Sequence, residues 1–425
     1  MANAFSKEEI VAFENILEGF QDALVLSRNV AVFNTDATTM ERARDTIWRP
    51  MPYIAQSFDS TVGSSISSNY DDMTQLSVPA TLGFSKTSAW KLNAKELRDA
   101  LQEGRLGDAA KQKLASDINR SVMNAAANQG TLVVAVAGAA GDYDDVALCD
   151  AIMNEQGVPD YDRYLALSTR DYNGLAGNLA TATRSFGNAK SDRAYERSYV
   201  GMVAGFETYK LDYANRLAAQ ATSVTIATNG AQVRFVPRAT TTATAGVLNV
   251  DNRYQTVTVS TTSGVNAGDA FTIAGIEAVH QITKQSTGQP KTFRVISVDS
   301  GTTMTISPPM IGANSAPTDA ELQYKNINVA STSATAAINW LNDNACNVNC
   351  FWQRDAIELL PGRYAVPTDS GAAVLRASTD QGIELVMQKF YDIDTMTTKY
   401  RLDTLFGVVN KQPEMSGILL FNQVP

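Results

Sequence analysis

Hydrophobic and polar positions follow different periods along this chain. Near the N-terminus, Ile10, Phe13, Leu17, Phe20 and Leu24 recur at spacings of three and four, which predicts an amphipathic helix. Glu14, Glu18 and Asp22 run beside the stripe, and residues 1–22 carry one lysine against five acids. Such a run is either a solvated helix face or a docking surface for a basic partner, held by salt-sensitive charge. Pro50 to Pro79 is polar and rich in serine (Ser57, Ser60, Ser64, Ser65, Ser67, Ser68), too long for an ordinary connection in a compact domain. Asn93-Ala-Lys-Glu96 has the form of a capping box. Leu97, Leu101, Leu114, Ile118, Val122 and Ala126 then predict a helix to about Gln129, with Gly104 and Gly107 expected to bend or break its early part.

The pattern changes after that helix. Leu132 to Ala137 predicts a buried strand, and Asp142 is placed to cap a helix starting near Asp144. Residues 160–222 show no strong period. From about Thr222 to Asp343 the chain is β-branched, alternating and poor in charge. Strands are predicted within Arg253–Ser260, Asp269–Ala274, Thr292–Val298 and Thr303–Ser307, separated by glycine-bearing turns. This predicts a strand meander or small barrel. A module inserted in a host domain has its two ends close together, so the host is discontinuous and resumes after Asn344. Ala334–Leu341 is expected to be helical. Gly382–Tyr391 and Lys399–Gly407 predict two long strands joined by a polar turn. The whole reads as α+β with an inserted all-β module.

Composition narrows the chemistry. Over 425 residues the net charge is −9, which argues against a nucleic-acid-gripping surface but suits an acidic shell that encloses DNA without adhering to it. Three cysteines form no disulfide framework, and the acids in the first 30 residues exclude a secretory signal, so a cytoplasmic product is expected. The longest apolar run, Leu132 to Ala140, is half a membrane span. The single histidine, His280, cannot make a triad or a His-rich metal site. Cys346 and Cys350 lack a second ligand pair, and Asp142, Asp144 and Asp145 lack the glycine and glutamate of a calcium loop. Leu132-Val-Val-Ala-Val-Ala-Gly-Ala-Ala-Gly141 lacks the middle glycine of a dinucleotide turn. Neither catalysis nor a cofactor is expected.

The order of helix, long polar loop, long helix, mixed region, β insertion and paired C-terminal strands resembles the major coat proteins of tailed phages with the HK97 fold. It resembles more closely the coat proteins of short-tailed phages of the P22 type, which carry an inserted β-barrel domain. Thr46-Ile-Trp-Arg-Pro50, Leu97-Arg-Asp99, Leu248-Asn-Val-Asp-Asn-Arg-Tyr254, Gly268-Asp-Ala-Phe-Thr-Ile-Ala-Gly275 and Asn349–Ile357 carry the likeness. It implies an N-arm (1–47), an extended loop (48–85), a peripheral domain with the spine helix (86–130 and 383–425), an axial domain (131–222 and 344–382) and the inserted barrel (223–343).

The implied function is a major capsid protein, assembling as hexamers and pentamers into an icosahedral procapsid and capsid around phage dsDNA. Assembly would take place in the host cytoplasm, with a scaffolding protein and a portal protein as partners and no membrane. Glu14, Glu18 and Asp22 would dock the scaffold. The family's inter-capsomer loop corresponds to Ala239–Val247, which is uncharged here, so Arg234, Arg238, Asp251 and Arg253 would supply the charged contacts. Phe58, Asp59, Tyr70, Asp71 and Asp72 would carry the extended loop's contact with a neighbour. A non-viral compartment shell of related fold, or a β-rich binding or tail module, remains the alternative.

Overall fold

The computed structural model describes residues 5, 7–33, 46–51, 61–63, 65, 67, 70, 72–93, 100–182, 189–228, 230–244, 246–312, 317–330, 335–365 and 371–424. The chain divides into two compact units, one of residues 1–47, 80–123 and 357–409, the other of residues 48–79, 124–356 and 410–425.

In the first unit, the long strand Thr397–Asn410 is the centre of a six-stranded sheet. It pairs antiparallel with Glu384–Asp392 on one side, and that strand pairs with Ala373–Ser378. It also pairs with Phe84–Asn93, in continuous register from Phe406↔Phe84 to Thr397↔Asn93. The helix Lys7–Ala23 buries Phe13, Ile16 and Phe20, and Leu24 just past its end is buried with them. Ile10 is 38% exposed and Leu17 only half-buried, so the expected stripe is turned by part of a step. The long helix is the cause. It runs unbroken from Ala100 to Gln129, and at Gly107 it has no side chain, leaving room for Ile16. A Cβ at Gly107 would stand 2.6 Å from the Ile16 Cδ1, and one at Gly19 would stand 2.4 Å from the Lys111 Nζ. Gly107 is therefore a contact point between helices, not the break its helix propensity suggests. Asn119 fastens the far end, accepting from the Leu26 N–H (3.1 Å) and donating to the Ala23 carbonyl (3.0 Å). The Asn93–Glu96 capping box falls outside the described residues.

In the second unit, a six-stranded sheet runs in the order Leu132–Ala135, Ser416–Leu420, Asn349–Gln353, Arg163–Ser168, Phe206–Leu211, Met202–Val203. Ser416–Leu420, Asn349–Gln353 and Arg163–Ser168 are buried at every position. Strands covered on both faces need no alternation, so Arg163–Ser168 carries no period of two. Helix Tyr143–Glu155 begins after Asp142, and Asp145 accepts from the Asp142 backbone N–H (3.2 Å).

The inserted module leaves this sheet side by side with its return, Leu217 pairing with Cys346 and Arg216 with Asn347. Its strands run Thr225–Ile226, Ala336–Trp340, Ala270–Val279, Ser286–Val298, Thr303–Ser307 and Gln255–Thr258, with Ile327–Val329 also on Ala270–Val279. An antiparallel bridge between Ile226 and Val259 closes the sheet on itself. Val257, Phe271, Ile273, Phe293, Val295, Met304, Ile306 and Trp340 fill it, and the Phe271 and Phe293 rings stack at 5.6 Å.

One expectation changes. Ala336–Trp340 is a strand, not a helix: Ala336, Ile338 and Trp340 point inward on a period of two. Ala373–Ser378 shares a sheet with Glu384–Asp392, whereas Ser416–Leu420 lies in the other unit's sheet between Leu132–Ala135 and Asn349–Gln353.

Gly417 sits where that sheet is tightest: a Cβ there would stand 2.3 Å from the Leu132 carbonyl oxygen and 2.5 Å from the Phe351 Cζ. Gly417→Ala is therefore expected to cost about 2 kcal/mol in urea unfolding, as overpacking does. An unchanged midpoint would contradict this packing.

Candidate functional site

The barrel is fixed to its host by polar groups on one strand. Arg294, in Ser286–Val298, is fully buried and spends its guanidinium on three carbonyls. Its Nε donates to Gly268 (3.0 Å), Nη2 to Ala127 (2.9 Å) and Nη1 to Gly130 (3.3 Å). The last two lie at the end of the long helix, where carbonyls lack intrahelical partners and a cation is favoured. Burial pushes the Arg294 pKa down to about 10, with Asp269 opposing, so the group stays charged near neutrality. Buried Asp269 accepts from the Asn266 N–H (2.8 Å), Gln220 (3.1 Å) and Asn342 (3.0 Å). Along the same strand the Thr292 hydroxyl donates to the Thr131 carbonyl (2.8 Å). Lys291 donates to Glu414 (2.6 Å) and Gln156 (2.9 Å).

The residues singled out for assembly are placed unevenly. Glu14, Glu18 and Asp22 are exposed, on the helix face opposite Phe13 and Phe20. Arg234 is committed within the chain: its Nε and Nη2 reach the two Glu321 carboxylate oxygens at 2.6 and 3.2 Å. That bond, first, and donors from Thr318 pull the buried Glu321 down to about 2. Arg253 is also buried, gripping Asp251 through Nε (2.9 Å) and Nη2 (2.6 Å) and donating to the Asn410 carbonyl (2.8 Å). Arg238 is exposed, while its backbone N–H and carbonyl are held by Asn252 (3.0 and 2.8 Å). Between these residues stands the hairpin Thr240–Ala243/Gly246–Asn249, exposed throughout.

In the extended loop, Phe58, Asp59 and Asp71 lie outside the described residues. Tyr70 is 78% exposed. The Asp72 backbone N–H donates to Asp319 (3.0 Å), the Thr74 N–H to Gln323 (3.2 Å), and the Tyr324 hydroxyl to the Thr74 carbonyl (2.8 Å). The loop's returning arm is thus held by a short helix, Asp319–Tyr324, absent from the sequence reading. Its signal was available in Thr318-Asp-Ala-Glu321, a capping box.

The groups weighed for chemistry are structural. His280 Nδ1 accepts from the Ile282 and Thr283 N–H groups (3.3 and 3.2 Å), closing a turn. Burial pushes the Cys346 thiol up to about 11 and Cys350 to about 12. Among the described residues no group of three or more His, Cys, Asp or Glu could hold a metal, and no helix is long and apolar enough to cross a membrane.

Two outcomes follow from these contacts. Arg294→Ala leaves carbonyls unpaired and a carboxylate buried, and is expected to cost about 3 kcal/mol in urea unfolding. A loss within about 0.5 kcal/mol, the range of ordinary surface changes, would contradict the anchoring role. Arg234→Ala has a pH signature. Because Glu321 is lowered in the folded chain, its pairing stabilises above the ordinary carboxylate range and is lost as pH falls toward about 2. The variant's deficit in chemical denaturation should be full at pH 7 and shrink below pH ~4.3; a pH-independent deficit would contradict the pairing.

The family description "P22 coat protein - gene protein 5" matches residues 1–422. Among solved structures, one titled "CUS-3 coat protein I-domain" is 41% identical and covers 29% of this chain and 99% of that chain, at a TM-score of 0.22. One from Mycobacterium phage Che8 is 10% identical and covers 94% of this chain and 91% of that one, at 0.45. A virus-like particle from Pyrococcus furiosus is 8% identical and covers 97% and 100%, at 0.40. None of the three scores reaches 0.5, and the assignment rests on the family match along nearly the whole sequence. The chain therefore belongs to the P22 coat protein family, whose members are structural, non-enzymatic subunits of the virion's icosahedral shell.

Proposed function

We propose that this chain is the major coat protein of a scaffold-directed procapsid. Its copies join as hexamers and pentamers, with a portal protein among them, and the shell later encloses dsDNA. The working parts are those the resemblance implies on an HK97 capsid fold: N-arm 1–47, extended loop 48–85, peripheral domain 86–130 with 383–425, axial domain 131–222 with 344–382, and barrel 223–343. Many modest contacts, repeated by symmetry, sum to a stable closed shell while single misplaced copies still dissociate. A net charge of −9 suits enclosure of DNA without adhesion.

The observation that carries the scaffold reading is the division of the N-terminal helix. Its apolar side is spent on its own unit, and Glu9 is spent inward on Lys389 and Tyr400. Glu14, Glu18 and Asp22 face solvent, where a basic helical partner would dock. The exposed hairpin Thr240–Asn249 and Arg238 would meet the neighbouring capsomer, while Arg234, Asp251 and Arg253 brace the hairpin's base. Phe58, Asp59, Tyr70, Asp71 and Asp72 would lie along a neighbouring subunit.

Electron microscopy of the chain co-expressed with its scaffolding protein should show closed shells. Glu14→Lys with Glu18→Lys should leave the monomer's melting temperature unchanged and abolish scaffold recruitment; normal recruitment would refute the docking face. Native particles filled with enzyme cargo instead of DNA would favour the compartment shell.

A further inference from the structure

We propose that Lys291 and Asn326 join within one chain as an isopeptide bond, with Glu414 as the catalytic carboxylate. The three residues come from separate segments. Lys291 is in the barrel strand Ser286–Val298, and Asn326 directly precedes the strand Ile327–Val329. Glu414 is in the turn Pro413–Met415, just before the strand Ser416–Leu420. One oxygen gathers the other two groups: Glu414 Oε1 accepts from Lys291 Nζ at 2.6 Å and from Asn326 Nδ2 at 3.2 Å. Lys291 is 1% exposed and Asn326 3%, so bulk water is kept from competing with the amine.

A buried ion pair needs only the lysine and the glutamate. The amide beside them adds the parts of a reaction. Asn326 Oδ1 accepts from the Ile311 N–H (3.0 Å), a donor aimed at the oxygen where charge develops when the carbonyl carbon is attacked. Nδ2 is the leaving group, and it rests on the same carboxylate oxygen as the nucleophile. One group can therefore take a proton from the amine and hand it to the departing nitrogen. The Pro309 carbonyl also accepts from Nδ2 (2.9 Å), which fixes the plane of the amide. Gln156 Oε1 steadies Nζ from another side (2.9 Å).

The step balances without an oxidant or a second reactant. One ammonium proton of Lys291 passes to Glu414 and leaves a neutral amine. Rotation of the lysine stem carries Nζ onto Asn326 Cγ, the Nζ–Cγ bond forms, and the Ile311 N–H holds the charge on Oδ1. As the intermediate collapses, the Cγ–Nδ2 bond breaks and Glu414 gives its proton to Nδ2. A second amine proton follows the same route, so ammonium departs and Glu414 is again a carboxylate. The new bond ties the barrel strand that carries Arg294 to the segment entering Ile327–Val329. Like any internal cross-link, it restricts the unfolded chain more than the folded one.

Intact mass under denaturing conditions reads the bond directly. The unsubstituted full chain should weigh about 17 Da less than its amino-acid sequence requires, the mass of the ammonia lost when an amine displaces an amide nitrogen. Digestion should then yield one branched peptide joining Lys291 to Asn326. Lys291→Arg and Glu414→Gln should each return the chain to its full mass. An unsubstituted chain at full mass would overturn the proposal, and that measurement does not depend on any variant folding. So would a loss of the same size with no branched peptide, as when an asparagine cyclises on its own backbone, or a branch at Gln156. A Glu414→Gln chain that still carries the bond would overturn the role given to the carboxylate.

Discussion

A guanidinium removed from water needs acceptors on every side, and Arg294 finds them only where barrel and host meet. It takes one carbonyl from the barrel's own turn at Gly268 and two from the end of the long helix. Neither side is satisfied alone: the barrel strand would bury a bare cation, and the helix would bury bare carbonyls. Thr292 and Lys291 extend the same strand's reach to Thr131, Gln156 and Glu414. The barrel has an apolar interior of its own, yet it is joined to the host by polar groups that tolerate little displacement. Apolar contact would hold a spliced domain loosely in several poses; this set of directional bonds specifies one.

The same economy explains where charge appears on the surface. Arg234, Asp251 and Arg253 flank the exposed hairpin, yet each has its partner inside the chain. These pairs leave the hairpin's uncharged strands outward, and Asn252 holds its base through Arg238 and Val250. The N-terminal helix shows the reverse arrangement. Its contact side is fixed by Gly107 and Gly19, which bring two helices close, and Glu14, Glu18 and Asp22 are left to solvent.

Much of this architecture was legible in the sequence, for a physical reason. A surface helix and a half-buried strand announce themselves by period, so the N-terminal helix, the barrel strands and the long pair ending the chain were readable. The central strands Arg163–Ser168, Asn349–Gln353 and Ser416–Leu420 were not, because burial on both faces removes alternation. Ala336–Trp340 was misread as helix because five residues of small and mixed side chains carry too little pattern to decide. Pairings were the least accessible. Arg234 lies 87 positions from Glu321, and Arg294 lies 167 from Ala127. No local rule could tell a surface arginine from an anchoring one.

Native-state hydrogen exchange on the unassembled chain tests the anchoring most directly. If Arg294 couples barrel and host, amides in the last turn of the long helix, near Ala127 and Gly130, should open together with those of Phe293–Val295, with one shared opening free energy. Independent protection, with the helix end still closed after the barrel strand has exchanged, would contradict the account.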